Sequence, residues 1–242
     1  MLMSAESFLA MWPKLLSGFL VTLELAALTL AIGMMIALPV AIARNAESAV
    51  LRRLAGGFIF FFRGPPLLVQ LYLIYYGAPE FDWVRSSWAW TILRDPFACA
   101  VIAFSLNSAG YVGEILAGAI RNVPRGEQQA AVAAGFPAAG VLWLVTLPHA
   151  ARIALRSYGN EIVFVIKGTS IASLVTVIDL MGAARQIYFR TYDPFTPLIA
   201  AGVIYFATVF IIMQVLKWTE RRLSPELRLR GASPGPTQVT TR

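Results

Sequence analysis

One uninterrupted apolar run constrains this chain more than any other feature. Residues 194–216 contain no charged side chain, and a helix of about 20 apolar residues is long enough to span the hydrocarbon core of a bilayer. The composition agrees: 58% of the residues are hydrophobic and only 14% are charged, whereas about a quarter are charged in a typical soluble domain. The chain is therefore predicted to be an all-α integral membrane protein.

Four further segments have the length and hydropathy of membrane spans. The five predicted spans cover approximately residues 15–43, 57–77, 97–118, 162–181 and 194–216. The uncharged stretch 136–151 is shorter and contains Pro137 and Pro148, so it is predicted to be re-entrant or interfacial, with a sixth span as the alternative. Residues 1–223 thus form one transmembrane domain. The polar tail 224–242 is predicted to be disordered.

Basic residues are distributed unevenly between the two sides of this five-span arrangement. Thirteen of the 20 lysines and arginines fall in the loop 44–56, the loop 119–160 and the tail from residue 217, and five fall on the other side. Basic residues concentrate in cytoplasmic loops. The N-terminus is therefore predicted to lie outside and the C-terminus in the cytoplasm. The basic residues of these cytoplasmic segments account for the net charge of +7, so this charge does not indicate binding of nucleic acid.

The sequence offers little for catalysis or metal binding. Cys99 is the one cysteine and His149 the one histidine, which argues against a disulfide framework, a metal cluster or a Ser-His triad. No Gly-x-x-x-x-Gly-Lys-[Ser/Thr] motif is present, so the chain has no Walker A phosphate cradle. We predict a protein that is not an enzyme and that holds no metal and no cofactor.

The long loop between the third and fourth spans is predicted to contain a short helix. Pro124 ends the preceding helix, and Glu127 falls in the first turn of the next one, where a negative charge suits the helix dipole. Alanines favour the helix, and Gly135 is a natural stop. This helix, about residues 127–135, has small side chains that would let the backbone of a partner approach closely.

The same loop resembles the permease subunits of bacterial ABC importers. Their cytoplasmic signature is Glu-Ala-Ala, three residues, Gly, nine residues, an aliphatic residue, any residue and Leu-Pro. This chain has the same spacing, with Gln129 in place of Glu and Glu127 two positions earlier. The resemblance implies that this segment couples the permease to its ATPase. The implied coupling residues are Glu127, Gln129, Ala130, Ala131, Gly135, Leu147 and Pro148.

Three other segments narrow the resemblance to permeases for polar amino acids. They are Phe62–Gln70, Asn107–Glu114 and Asn160–Ser170, and the resemblance covers about residues 15–223. It is closest to subunits that serve histidine, arginine, lysine, ornithine or opines. The resemblance implies the five-span fold of type I importers in the bacterial inner membrane. It also implies two ATP-binding subunits, a second permease chain that is identical or homologous, an extracytoplasmic solute-binding protein and surrounding lipid as partners.

Polar residues within the spans are candidates for the substrate path. They are Glu24, Gln70, Asn107, Tyr111, Glu114, Asn160, Glu161, Lys167, Thr169 and Ser170. A charge at the centre of a span costs roughly 2.5–3.5 kcal/mol on insertion scales, so the charged members need water, substrate or partners. One interpretation is a polar translocation cavity. The others are pairing between helices, for example of Lys167 with Glu114 or Glu161, and solvation at the membrane boundary.

Two other classes of function compete with an ATP-driven importer. A secondary amino acid carrier driven by an ion gradient would show inverted repeats with matching broken helices, and no such symmetry is detected in the sequence. An intramembrane enzyme would need a nucleophile and base or a metal site, which one histidine and one cysteine do not supply.

Overall fold

The computed structural model describes residues 5–223, and every regular element in that range is helical. The helices are α1 (Ala5–Arg44), α2 (Ala49–Arg63), α3 (Leu67–Glu80), α4 (Pro96–Arg121), α5 (Arg125–Ala133), α6 (Ala138–Val175), α7 (Leu180–Thr191) and α8 (Phe195–Leu223). Two single helical turns, Asp82–Arg85 and Trp90–Leu93, connect α3 to α4. The tail predicted to be disordered lies outside the described residues.

Four of these helices, α1, α4, α6 and α8, are long and apolar enough to cross a membrane, and α2 with α3 makes a fifth candidate. The all-α membrane fold is thereby confirmed. The second candidate is not one continuous helix, because α2 and α3 meet at a bend of 95°. The break falls at Gly64-Pro65-Pro66. Proline has no N–H for the helical ladder and its ring clashes with the preceding turn, so the helix is interrupted at this point.

Helix α6 differs most from the sequence-based prediction. The stretch 136–151 is not a separate re-entrant or interfacial segment, because from Ala138 onward it continues into the helix that carries the fourth predicted span. The wide π-type turn Val141–Thr146 precedes Pro148. Such a turn accommodates the hydrogen bond that the proline cannot donate. The helix ends at Val175, because Thr176 has a left-handed backbone with φ of 66°.

A short helix, α7, follows where the fourth span was predicted to continue. Its first residue is Leu180, and the helix was not anticipated from the sequence. Asp179 caps it by accepting a hydrogen bond from the Gly182 N–H at 2.9 Å. Such caps satisfy the free N–H groups of the first turn.

Aspartates cap two other helices in the same manner. Asp95 begins α4 and accepts from the backbone N–H of Phe97 at 3.2 Å. Asp193 precedes α8 and accepts from the backbone N–H of Phe195 at 3.0 Å. The hydroxyl of Thr196, followed by two backbone N–H groups, holds the pKa of Asp193 below its ordinary value.

Small residues let α4 pack closely between its neighbours. Ala100, Ala103, Ala109 and Ala117 of this helix are completely buried. A Cβ added at Gly113 would lie 3.3 Å from Cγ1 of Val40 on α1. Helices in lipid associate through such close packing, since burial of apolar surface drives association only in water. The resulting bundle fixes α1, α2 and α6 around α4, and this is where the polar candidates meet.

Candidate functional site

The helix break between α2 and α3 is held by two buried side-chain amides. Gln70 Nε2 donates to the carbonyl oxygens of Phe62 and Pro65, both at 2.9 Å, and Asn107 Nδ2 donates to the Phe62 carbonyl at 3.0 Å. A break at membrane depth frees carbonyls that need new partners. Gln70 and Asn107 supply them, so the structure gives both residues a role in holding the bend.

Next to this break, α1, α2 and α4 enclose an open groove of about 450 Å³. Arg44, Arg63, Tyr111 and Glu114 line it. The guanidinium of Arg63 lies over the Tyr111 ring, 5.0 Å from the ring centroid. Glu114 is paired through Oε1 with Nη2 of Arg121 at 3.1 Å. The groove therefore presents two guanidinium groups, and its acidic residue already has a cationic partner.

Glu161 of α6 is the most buried of the charged candidates, with 5% of its surface exposed. Its Oε1 atom has no hydrogen-bond partner among the described residues. Ser108 of α4 lies beside it. The hydroxyls of Ser108, Ser105 and Thr29 are likewise buried without partners in this part of the chain. The Glu161 carboxylate and the Ser108 hydroxyl are oxygen acceptors that can receive the protons of an ammonium group.

These three hydroxyls were missed in the sequence-based selection. A signal for them existed, because Ser105 and Ser108 stand three positions apart and so share one face of an apolar helix. Gly33 on α1 brings that helix against the same face. A Cβ added there would lie 3.3 Å from the Ser108 Cβ atom.

The other substrate-path candidates either donate to backbone carbonyls or are exposed. Thr169 and Ser170 donate their hydroxyls to the carbonyls of Ile166 and Lys167, at 2.7 and 2.8 Å. Glu24, Asn160 and Lys167 are exposed on the outside of the chain. Within the described residues no ion pair joins Lys167 to Glu114 or Glu161, and Glu114 pairs with Arg121 instead.

A fully buried acidic residue outside the candidate set joins three helices. Asp179 accepts from the Tyr205 hydroxyl at 3.1 Å, in addition to its capping bond. The next N–H, of Leu180, donates to Thr22 Oγ1 on α1 at 3.0 Å. Gly18 makes this approach possible, because a Cβ there would lie 2.7 Å from the carbonyl oxygen of Asp179. Asp179 and Leu180 thus form a structural junction between α1, α7 and α8.

Helix α5 ends in a complete Schellman motif at the predicted glycine. Gly135 has a left-handed φ of 85°. Its N–H donates to the Val132 carbonyl at 3.0 Å, and the N–H of Phe136 donates to the Ala131 carbonyl at 3.1 Å. These are the two bonds that define the motif. A Cβ at Gly135 would meet nothing within 4 Å inside the chain, so the backbone conformation is the reason for glycine.

The surface of α5 and of its end is exposed and mixes polar side chains such as Arg125 and Glu127 with apolar ones. Ala131 packs inward, whereas Val132 and Phe136 are 62% and 43% exposed. Gln129, Ala130 and Pro148 are exposed and Leu147 is half-buried. Exposed apolar patches of this kind are typical of interaction surfaces.

One contact between side chains ties α5 to α6. Glu127 Oε2 lies 2.8 Å from Nδ1 of His149. No local sequence pattern links His149 to Glu127, and the fold brings the two residues together. Glu127 therefore has a partner within the chain.

Comparison with known proteins places the chain in a family. Residues 30–225 match the family model described as the inner membrane component of binding-protein-dependent transport systems. The chain belongs to this family. The permease is 37% identical to the nopaline transport system permease NocM of Agrobacterium fabrum, over 99% of its own length and 100% of that protein. It is 40% identical to the arginine permease ArtM of Escherichia coli K12, over 73% of its own length and 79% of that protein.

Solved structures agree with the permease fold. An amino acid ABC transporter crystallised with histidines has a TM-score of 0.80 and 31% identity, covering 92% of this chain and all of that one. The methionine transporter MetNI shares the fold with a TM-score of 0.72 at 18% identity, covering 91% of this chain and 99% of that one. The permease is thus an integral inner-membrane component with the type I ABC importer fold.

Proposed function

We propose that this permease is the transmembrane subunit of an ATP-driven importer for polar amino acids, basic ones and opines above all. Substrate would be delivered by an extracytoplasmic binding protein. The observation that carries the proposal is α5, an exposed helix rich in small residues that ends in a left-handed glycine turn and contacts the long helix α6 through Glu127 and His149. The named substrates of the relatives, nopaline and arginine, support the substrate class.

Energy coupling is proposed to run from α5 into α6. The exposed side chains of α5 would sit on an ATP-binding subunit, and the pair between Glu127 and His149 would carry its movement to α6. The same helix holds Glu161 further along. A shift of α6 would therefore move a docking surface and a buried acidic group together. Gln129, Ala130, Ala131, Gly135, Leu147 and Pro148 complete the proposed coupling region.

The substrate path is proposed to pass the two polar regions around α4. Glu161 and the Ser108 hydroxyl beside it would receive an ammonium group. Arg44 and Arg63 in the neighbouring groove would attract a carboxylate, because guanidinium and carboxylate groups form strong paired hydrogen bonds. Both charges are present in a basic amino acid or an opine. Gln70, Asn107, Thr169 and Ser170 would shape this path through the backbone bonds that they make.

A second permease chain, identical or homologous, is proposed to cover part of the outer surface. Glu24 and Lys167 lie in apolar helices, yet both side chains are exposed in the isolated chain. Contact with lipid hydrocarbon would be costly for either charge. A protein partner or a shared aqueous path between two permeases would avoid this cost.

The remaining partners follow from the chemistry that this chain lacks. Because the sequence has no Walker A motif, ATP hydrolysis is proposed to occur in two separate ATP-binding subunits. The distribution of basic residues supports an arrangement with the N-terminus outside and the C-terminus, with α5, on the cytoplasmic side. A secondary carrier is less well supported, because the α2–α3 pair is the single bent pair among the described helices and has no matching counterpart.

The test is uptake by the complete complex in proteoliposomes. We expect the ATP-binding subunit to copurify with the permease. Radiolabelled arginine or nopaline should then accumulate only with ATP inside the proteoliposomes and binding protein outside. An ionophore that collapses proton and sodium gradients should leave uptake unchanged. Accumulation without ATP that disappears with the ionophore would favour the secondary carrier and contradict the proposal.

A further inference from the structure

A second groove lies between α6 and α8, and Asn160 is the one substrate-path candidate among the described residues that line it. Its volume is about 610 Å³. The residues that line it repeat with helical spacing on both helices, so each helix contributes one face. Gly159 marks the point of closest approach, because a Cβ there would lie 2.9 Å from Cδ1 of Leu216. The groove is thus formed where two membrane helices touch and then separate.

The lining of this groove changes from apolar to charged along its length. Leu155, Val163, Met213 and Leu216 form apolar walls, and Arg156, Lys217, Glu220 and Arg221 form a charged rim. The change coincides with the end of the uncharged run 194–216. The groove therefore crosses from the hydrocarbon level to the level where lipid headgroups lie.

The charges of the rim do not cancel. Arg156 pairs with Glu220, with its Nη2 atom 2.8 Å from Oε1 and its Nε atom 3.0 Å from the same oxygen. This pair uses the one acidic group of the rim. Lys217 and Arg221 are exposed, and neither forms an ion pair with another described residue. Two cationic groups thus remain available for an anion at the mouth of an apolar groove.

We infer that this groove binds one anionic phospholipid, with its phosphate between Lys217 and Arg221 and an acyl chain along the apolar walls. Basic pockets between membrane helices at the headgroup level suit such lipids. A soluble anion would gain nothing from the walls, and a zwitterionic lipid would bring a cation close to the two basic groups. The arrangement therefore favours a phospholipid with net negative charge over both.

The experiment uses the purified complex of permease and partner subunits after delipidation in detergent. Samples are titrated with dioleoylphosphatidylglycerol, dioleoylphosphatidylcholine or inorganic phosphate, and bound molecules are counted by native mass spectrometry. We expect saturable binding of phosphatidylglycerol that neither phosphatidylcholine nor phosphate displaces. Equal binding of phosphatidylcholine, or displacement by phosphate, would overturn the inference.

Adjacent arginines provide a matched pair of variants. Arg221 lines the groove, whereas the guanidinium of Arg222 stacks on the Trp218 ring, 4.1 Å from its centroid. Arg221→Gln should weaken phosphatidylglycerol binding about fivefold, and the double change Lys217→Gln with Arg221→Gln about 25-fold, from the attraction of each basic group to anionic lipid. Arg222→Gln removes the same charge and should change binding less than about twofold. An equal loss in Arg221→Gln and Arg222→Gln would show a diffuse charge effect and overturn the site.

A third variant separates the lipid from other occupants of the groove. Val163→Phe fills the apolar wall without changing any charge, and we expect it to reduce phosphatidylglycerol binding while the complex stays assembled. If Met213→Cys instead forms a cross-link to the second permease chain in the native membrane, a protein surface occupies the groove. That result would contradict lipid binding there.

Discussion

The glycine that ends α5 offers the sharpest test of energy coupling. Gly135 has a φ of 85°, and a left-handed backbone costs a residue with a Cβ roughly 1–2 kcal/mol. No steric penalty adds to this, because a Cβ at Gly135 would meet nothing within 4 Å. Alanine should therefore lower the ratio of capped to frayed helix ends by about 5- to 30-fold. Asparagine tolerates this conformation better than other residues with a Cβ and should have a smaller effect.

The assay is ATP hydrolysis stimulated by the loaded binding protein in the reconstituted complex. We expect stimulation to fall in the order Gly135, Gly135→Asn, Gly135→Ala and Gly135→Leu. Membrane insertion and binding-protein affinity should stay unchanged, since the change lies on α5 and outside the long helices. The difference between asparagine and alanine tests the backbone explanation, because asparagine tolerates a left-handed backbone better than alanine.

Gly126 on the same helix is the matched control. A Cβ there also meets nothing within 4 Å, and no left-handed φ is present. Gly126→Ala should stabilise the helix by up to about 1 kcal/mol and leave stimulation intact. Normal stimulation and transport in Gly135→Leu would refute the assignment of α5 as the coupling element. Equal losses in Gly126→Ala and Gly135→Ala would refute the role of the backbone conformation.

Three further predictions concern the interior of the bundle. Glu161→Gln should reduce uptake of arginine while assembly with the ATP-binding subunit persists. Glu114→Gln should reduce uptake less, because the Glu114 carboxylate is paired with Arg121. Normal uptake in both variants would exclude Glu161 from the substrate path. Gln70→Leu should lower the thermal stability of the detergent-solubilised complex, because the Pro65 carbonyl loses its amide partner at about 1–3 kcal/mol for a buried group, whereas the Phe62 carbonyl keeps Asn107. An unchanged melting temperature would show that water replaces the amide. Gly18→Val should destabilise the same complex by about 1–3 kcal/mol through overpacking. Gly57→Ala should not, because a Cβ at Gly57 would meet nothing within 4 Å. Equal melting temperatures of the two variants would contradict the close approach of α1 to α7.

Several elements of this permease could be predicted from local chemistry. An uncharged run long enough to cross a bilayer requires a helix, because backbone groups in lipid must be satisfied within the segment. Two consecutive prolines after Gly64 end a helix wherever they stand. Gly135 after an alanine-rich helix predicts a left-handed stop, and its φ of 85° agrees. In each case the cause lies within a few residues of its effect.

Other features depended on contacts between distant segments. The pairing of Glu127 with His149 joins residues of two helices, and no local pattern connects them. The length of α6 was not predicted from the sequence either. Pro148 indicates a helix boundary by local rules, and the helix continues through it because of the wide turn Val141–Thr146.

The sequence by itself determined that the chain is helical, lies in a membrane and breaks its second predicted span at residues 64–66. The tertiary structure alone decided which polar residues in those helices are already satisfied. Gln70 and Asn107 are occupied by backbone carbonyls, whereas Glu161 keeps a buried oxygen without a partner in the described chain. The physical reason is that hydropathy depends on residue type, while hydrogen-bond satisfaction depends on atoms brought within about 3 Å by helices far apart in sequence.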